Sequence, residues 1–153
     1  MKLRNKYVLA FTVLVLSMLI IYFLWFSIRP VEVIAIHQRN SFSDVLVNNY
    51  PFTDKGKINW WLENKDILKV KYDIPKSSFS GSYAIAFWYF GDGYKEEGKY
   101  DRLCFEDMAP PLNCIEKDRA FTVRGDNHGN ISFGVNDGEY YINKNGEMIK
   151  EKY

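Results

Sequence analysis

The chain has 153 residues, 47% hydrophobic and 17% aromatic, with 20 basic against 19 acidic side chains and only two histidines and two cysteines. That length supports one modest core. The net charge of +1 excludes a strongly basic nucleic-acid face, and so many large apolar side chains exclude a disordered chain.

Tyr7 to Ser27 is an uncharged run of 21 residues preceded by Lys2, Arg4 and Lys6. At about 1.5 Å per residue it spans roughly 31 Å, against a hydrocarbon core of about 30 Å, and it outruns the roughly 7–15 apolar residues of a cleavable signal. The run reads as one transmembrane helix, an uncleaved signal-anchor. No Cys follows it for lipid attachment, and no A-x-A-like cleavage site closes it. Three basic side chains and the terminal amine precede it, whereas Arg29 and Arg39 beyond it are offset by Glu32, which puts the N-terminus in the cytoplasm. Tyr22 to Phe26 supplies an outer aromatic belt, and Pro30 ends the helix. The expected organisation is a cytoplasmic start and span over residues 1–29 and an outer domain over 30–153. In a Gram-negative cell these correspond to a single-pass inner-membrane anchor and a periplasmic domain.

The first 30 residues hold four of the basic groups and none of the acidic ones, so the remainder carries 16 against 19 and is mildly acidic at net −3. Val31 to Ile36 is apolar and β-branched, a first strand, and Asp44 to Asn49 is a second. Pro51-Phe52-Thr53 opens a helix, with Thr53 as N-cap and Asp54 in the first turn, running to about Tyr72. At about 100° per residue, Ile58, Trp61, Leu62, Leu68 and Tyr72 form one core-facing stripe, while Trp60 and Ile67 point elsewhere. Lys65 and Lys69 fall within the stripe, so either their stems snorkel or the helix breaks near Asn64 to Asp66. Beyond Pro75 to Ser80 the pattern is strand-like. Strands are expected at Ser82 to Phe90, Lys99 to Phe105, Cys114 to Arg124, Asn130 to Val135 and Glu139 to Asn143. The polar segment Gly91 to Gly98 reads as a hairpin loop, and Asn145-Gly146 as a last tight turn. The pattern is α+β: a small, mostly antiparallel sheet packed against one main helix.

Cys104 and Cys114 lie ten residues apart in the part expected outside the membrane. A local pair suits a disulfide in an oxidising compartment, with free thiols as the alternative. Two thiols without a second ligand pair do not complete a zinc site, and no metal or other cofactor is expected.

Pro51 to Trp61 (Pro-Phe-Thr-Asp-Lys-Gly-Lys-Ile-Asn-Trp-Trp), Phe90 to Cys104, Arg29-Pro30-Val31-Glu32 and Asn113 to Lys117 resemble an uncharacterised family of enterobacterial membrane proteins. The likeness extends over nearly the whole chain. It implies an inner-membrane protein with one span and a domain of unknown function. It brings no activity, ligand or catalytic residue.

The chain offers little catalytic chemistry. His37 ends the first strand and His128 lies in an Asp-Asn-His-Gly-Asn turn; neither has a ligand-spaced partner, so both read as loop or surface histidines. Asp92, Glu96, Glu97, Asp101, Glu106 and Asp107 cluster around the hairpin, but Lys95, Lys99 and Arg102 interleave with them, as on a solvated face. Their use as glycan-cleaving carboxylates is the enzymatic alternative. The serines from Ser77 to Ser82 form no G-x-S-x-G elbow, and no phosphate-binding glycine motif occurs. A single helix face seldom takes both of the adjacent Trp60 and Trp61: the first reading is that the sheet and the N-terminal segment wrap opposite sides of the helix, the functional one makes Trp60, with Ile67, the candidate partner contact, and a third places the pair at the outer-leaflet headgroups. The functional expectation is therefore a membrane-anchored, non-catalytic interaction module for an unidentified envelope protein, of the immunity or accessory type. A subunit pairing through its span is less favoured, because no small-residue stripe occurs in the run.

Overall fold

In a computed structural model that describes residues 2–143 and 145–152, the chain divides between Pro30 and Val31 into two compact units. The first is a single helix, α1 (Lys2–Ser27), of which Asn5–Ser27 is long and apolar enough to cross a bilayer. The side chains of Lys2 and Arg4, in the expected basic start, lie outside the described residues. From Asn5 to Pro30 every residue is exposed, and the apolar run occupies all sides of the helix, as in a membrane span. Its hydroxyls are satisfied within the helix: Thr12 donates to the Val8 carbonyl, Ser17 to Leu14 and Ser27 to Phe23, at 2.6–2.8 Å. In hydrocarbon no water could serve them. The Arg29 guanidinium lies 4.2 Å from the centre of the Trp25 ring at the far end.

The second unit runs β1 (Glu32–Arg39), β2 (Phe42–Asn48), α2 (Asp54–Tyr72), β3 (Tyr83–Tyr89), β4 (Arg102–Cys104), β5 (Cys114–Glu116), β6 (Arg119–Gly125), β7 (Ile131–Val135), β8 (Gly138–Ile142) and β9 (Met148–Glu151). Seven strands form one sheet in the order β1-β2-β3-β6-β7-β8-β9, and β4 and β5 form a separate pair. Among the described residues only β2 and β3 pair in parallel, and α2 is the crossover that joins them. The fold is α+β with a mostly antiparallel sheet.

Strand alternation separates two cores. Val45, Val47, Ile85, Phe87, Phe121, Val123 and Phe133 face α2 and bury Ile58, Trp61 and Leu68 from its stripe. On the opposite face Leu46 packs with Phe105 and Ile115 from a flap, residues 90–118, that carries the β4–β5 pair. Cys104 and Cys114 are register partners in that pair and are joined by a disulfide.

Helix α2 starts as its sequence dictates. Thr53 has extended backbone angles and its hydroxyl accepts the Gly56 N–H at 3.0 Å. A Cβ on Gly56 would come within 2.8 Å of that hydroxyl oxygen and 3.1 Å of Pro51 Cβ, which explains a glycine in the first turn. The helix is unbroken at Asn64 to Asp66. Lys69 reaches past the C-terminal end to Asp73 and the Pro75 carbonyl.

Three expectations are corrected, and two features of the sheet appear that the pattern does not predict. The segment 91–98 is not the loop of a hairpin, because β3 pairs with β2 and β6 while β4 pairs only with β5. The stretch from Cys114 to Arg124 is two strands: β5 belongs to the flap, β6 to the main sheet, and the chain passes between them at Lys117-Asp118. The parallel β2–β3 pairing and the last strand, β9, were not expected at all. Finally, His37 is not a surface histidine but is 7% exposed, whereas His128 does lie in an exposed turn.

Candidate functional site

The outer edge of β1 and the adjoining side of α2 enclose a groove of about 470 Å³. Val31, Val33 and Ile34 supply one wall, and Trp60, Ile67 and Leu68 the other. Asn64, Lys71 and Glu32 place polar groups in the lining. The two residues singled out from the helical wheel thus line one cavity but differ in kind. Trp60 is half-buried, its ring 5.0 Å from Tyr50 and 6.1 Å from Phe87, because Tyr50 in the segment leading to α2 packs on that side of the helix. Ile67 is 60% exposed, and one turn on Val70 is 90% exposed. Ile34 is 41% exposed. It is the extra residue of a β-bulge: Val33 sits opposite Val47 and Ala35 opposite Leu46, leaving Ile34 without a ladder partner on β2.

A part-buried polar cluster lies on the other face of β1. His37 Nδ1 is 2.8 and 2.9 Å from the two Asp107 carboxylate oxygens, and its Nε2 is 3.0 Å from the Tyr94 hydroxyl. The ring stacks on Phe105 with centroids 3.7 Å apart and planes 10° from parallel. A neutral imidazole donating from Nδ1 to Asp107 and accepting the Tyr94 O–H at Nε2 satisfies all three groups. Burial, then the Asp107 charge, raises the pKa of the Tyr94 phenol, so it is a poor nucleophile. Asp44, the register partner of His37 on β2, is 1% exposed. One of its oxygens accepts the Trp88 indole N–H at 2.7 Å. The other has no hydrogen-bond donor among the described residues, although the Arg39 guanidinium is 3.7 Å away. Burial outweighs Trp88 and Arg39 and raises the Asp44 pKa. With both imidazole nitrogens engaged, the cluster works as a clamp that holds Tyr94, Phe105 and Asp107 of the flap on the sheet. Seventy residues separate His37 from Asp107, so no local spacing marked the pair.

The remaining hairpin carboxylates do not converge on such a centre. Asp92, Glu96, Glu97, Asp101 and Glu106 are all exposed. Lys95 pairs with Asp92 and Glu116, Arg102 with Glu116 and the Glu96 carbonyl, and Lys117 with Asp101. This is a solvated, ion-paired surface.

One exposed apolar helix followed by an α+β domain defines the class, a protein with, among the described residues, one candidate membrane span and one folded domain. The chain belongs to the family described as "Enterobacterial putative membrane protein (DUF943)", whose model matches residues 2–152. No curated protein and no solved structure matches it.

Proposed function

We propose that this is a single-pass protein of the bacterial inner membrane whose periplasmic domain binds another envelope protein and catalyses no reaction. The carrying observation is the groove between β1 and α2, where Ile34 and Ile67 expose apolar surface beside the half-buried Trp60. Rigid apolar anchors around a concavity are the usual energetic centre of a protein interface. The disulfide favours an oxidising compartment, and the basic residues before α1 favour an N-terminus in the cytoplasm. An immunity-type or accessory role is one form this binding could take.

The test is in-cell crosslinking and affinity capture of the full-length protein, wild type against Ile67→Asp. Ile67 is exposed, so the variant should melt at the wild-type temperature yet lose its crosslinked partner. An unchanged crosslinking pattern would remove the groove from consideration. Trp60→Ala is the poorer variant, because its ring packs with Tyr50 and Phe87, and truncating it opens a cavity.

A further inference from the structure

We infer that the groove's occupant is a second copy of this chain, paired antiparallel through β1. The inference rests on reading the groove as an interaction site and goes further by naming what fills it.

The two edges of the sheet are unlike. β9 is only four residues, Met-Ile-Lys-Glu, and its charged positions protect it. β1 is eight residues long and carries no charge from Val33 through Ile36. It closes the sheet, and among the described residues no backbone group hydrogen-bonds to its outer edge. Two hollows follow that edge in sequence: the one beside Trp60 and Ile67, and another of about 480 Å³ running from Val33 to Gln38 between Tyr72 and Asp107. A concavity that tracks a whole unpaired strand fits an extended segment.

The charges at the strand ends select which segment. β1 begins with exposed Glu32 and ends with Arg39, whose side chain is 56% exposed. Antiparallel pairing that sets Glu32 against Arg39 of the other copy matches opposite charges at both ends, and with Ile34 bulged out of both strands it brings Ile36 opposite its own copy at the centre. Parallel pairing would set like against like. The antiparallel arrangement is isologous and closes on itself as a two-fold dimer. The bulge serves selectivity: a bulged edge resists indiscriminate strand addition, and it leaves Ile34, 41% exposed, as an unpaired apolar residue beside the new ladder. Six ladder steps of about 3.3 Å put the two Glu32 residues roughly 20 Å apart, so the spans need not pack together, in keeping with a span that has no small-residue stripe. Confinement of both copies to one membrane raises their effective concentration, which lets a short ladder suffice.

The test uses the full-length protein in native membranes. A photoreactive phenylalanine analogue replacing Ile34 should give an adduct of twice the chain mass containing only this sequence. Separately tagged Glu32→Cys and Arg39→Cys variants, co-expressed and mildly oxidised, should form a mixed-tag disulfide dimer, and neither variant alone should form one. A photoadduct solely with a different protein would overturn self-pairing and leave the groove as an interaction site. No adduct at all would overturn both readings. A disulfide dimer of Glu32→Cys alone would overturn the antiparallel register.

Discussion

At the scale of single residues, His37 ties the flap to the sheet through both of its ring nitrogens. Its ring fills the space against Phe105 and joins Asp107 to Tyr94. His37→Ala should therefore cost about 2–4 kcal/mol, the range for a buried ring lost together with its hydrogen bonds. Asp107→Asn should cost about 1 kcal/mol, because that side chain is half-exposed and its amide oxygen can still accept from Nδ1. Urea unfolding of the three proteins checks the order, and equal losses would contradict it. Asp44 makes a prediction of opposite character. Burial raises its folded pKa above the unfolded value near 4. Its contribution therefore favours folding below that value and is lost as pH rises through the folded pKa. Asp44→Asn keeps an oxygen for the Trp88 N–H and never ionises. Its stability relative to wild type should rise as pH increases above the unfolded carboxyl pKa near 4; a flat difference would mean that Arg39 and Trp88 already offset the desolvation. Neither residue was legible as a site. His37 was placed at the end of a strand, but its clamp partner lies in a loop that no periodicity links to it. Lys57 is a parallel case, a charged residue 8% exposed because its amine donates to the Ala120 carbonyl sixty-three residues away.

Elements with local causes were read well, and those with distant partners were not. Helix α2 could be placed from Pro51-Phe52-Thr53-Asp54 because a cap acts over three residues, and its buried stripe follows from a period of 3.6. The strand at Ser82 to Phe90 was visible in its aromatic density. Its neighbours were not, because loop composition reports a turn without saying which strands flank it in space. Cap and flap can each be tested. Thr53→Ala should cost about 1 kcal/mol. Gly56→Ala should fail to return the roughly 1 kcal/mol that helix propensity would give, because its Cβ would press on the Thr53 hydroxyl and on Pro51. Thermal melts that rise for Gly56→Ala would show that the cap yields without cost. In the flap, the Cys104–Cys114 link closes a short loop and should contribute about 2–3 kcal/mol. Replacing both cysteines with serine should speed amide exchange first in residues 90–118, while β2, β3 and β6 stay protected by the core they share with α2. Uniform loss of protection would mean that flap and sheet open as one unit.

For the whole molecule, the span was the most legible feature because its signal is length and uninterrupted apolarity, which need no tertiary context. Its proposed direction rests on charge instead: Lys2, Arg4 and Lys6 stand before the run, while Arg29 beyond it is offset in sequence by Glu32. With the N-terminus in the cytoplasm, alkaline phosphatase fused after the last strand should be active. Changing the three leading basic residues to glutamine should lower that activity, since Arg29 and Arg39 would then dominate the balance. The cysteine pair supplies an independent readout on the unfused protein. Outside the membrane, Cys104 and Cys114 should resist a mass-tagged thiol reagent after denaturation unless a reductant is added first. In the variant with the neutral start, the fraction labelled without reductant should rise in step with the loss of phosphatase activity. If phosphatase activity falls while the thiols stay protected, the glutamine changes have reduced expression of the fusion and left its direction unchanged. If both readouts are unmoved, something other than the leading charges sets the topology.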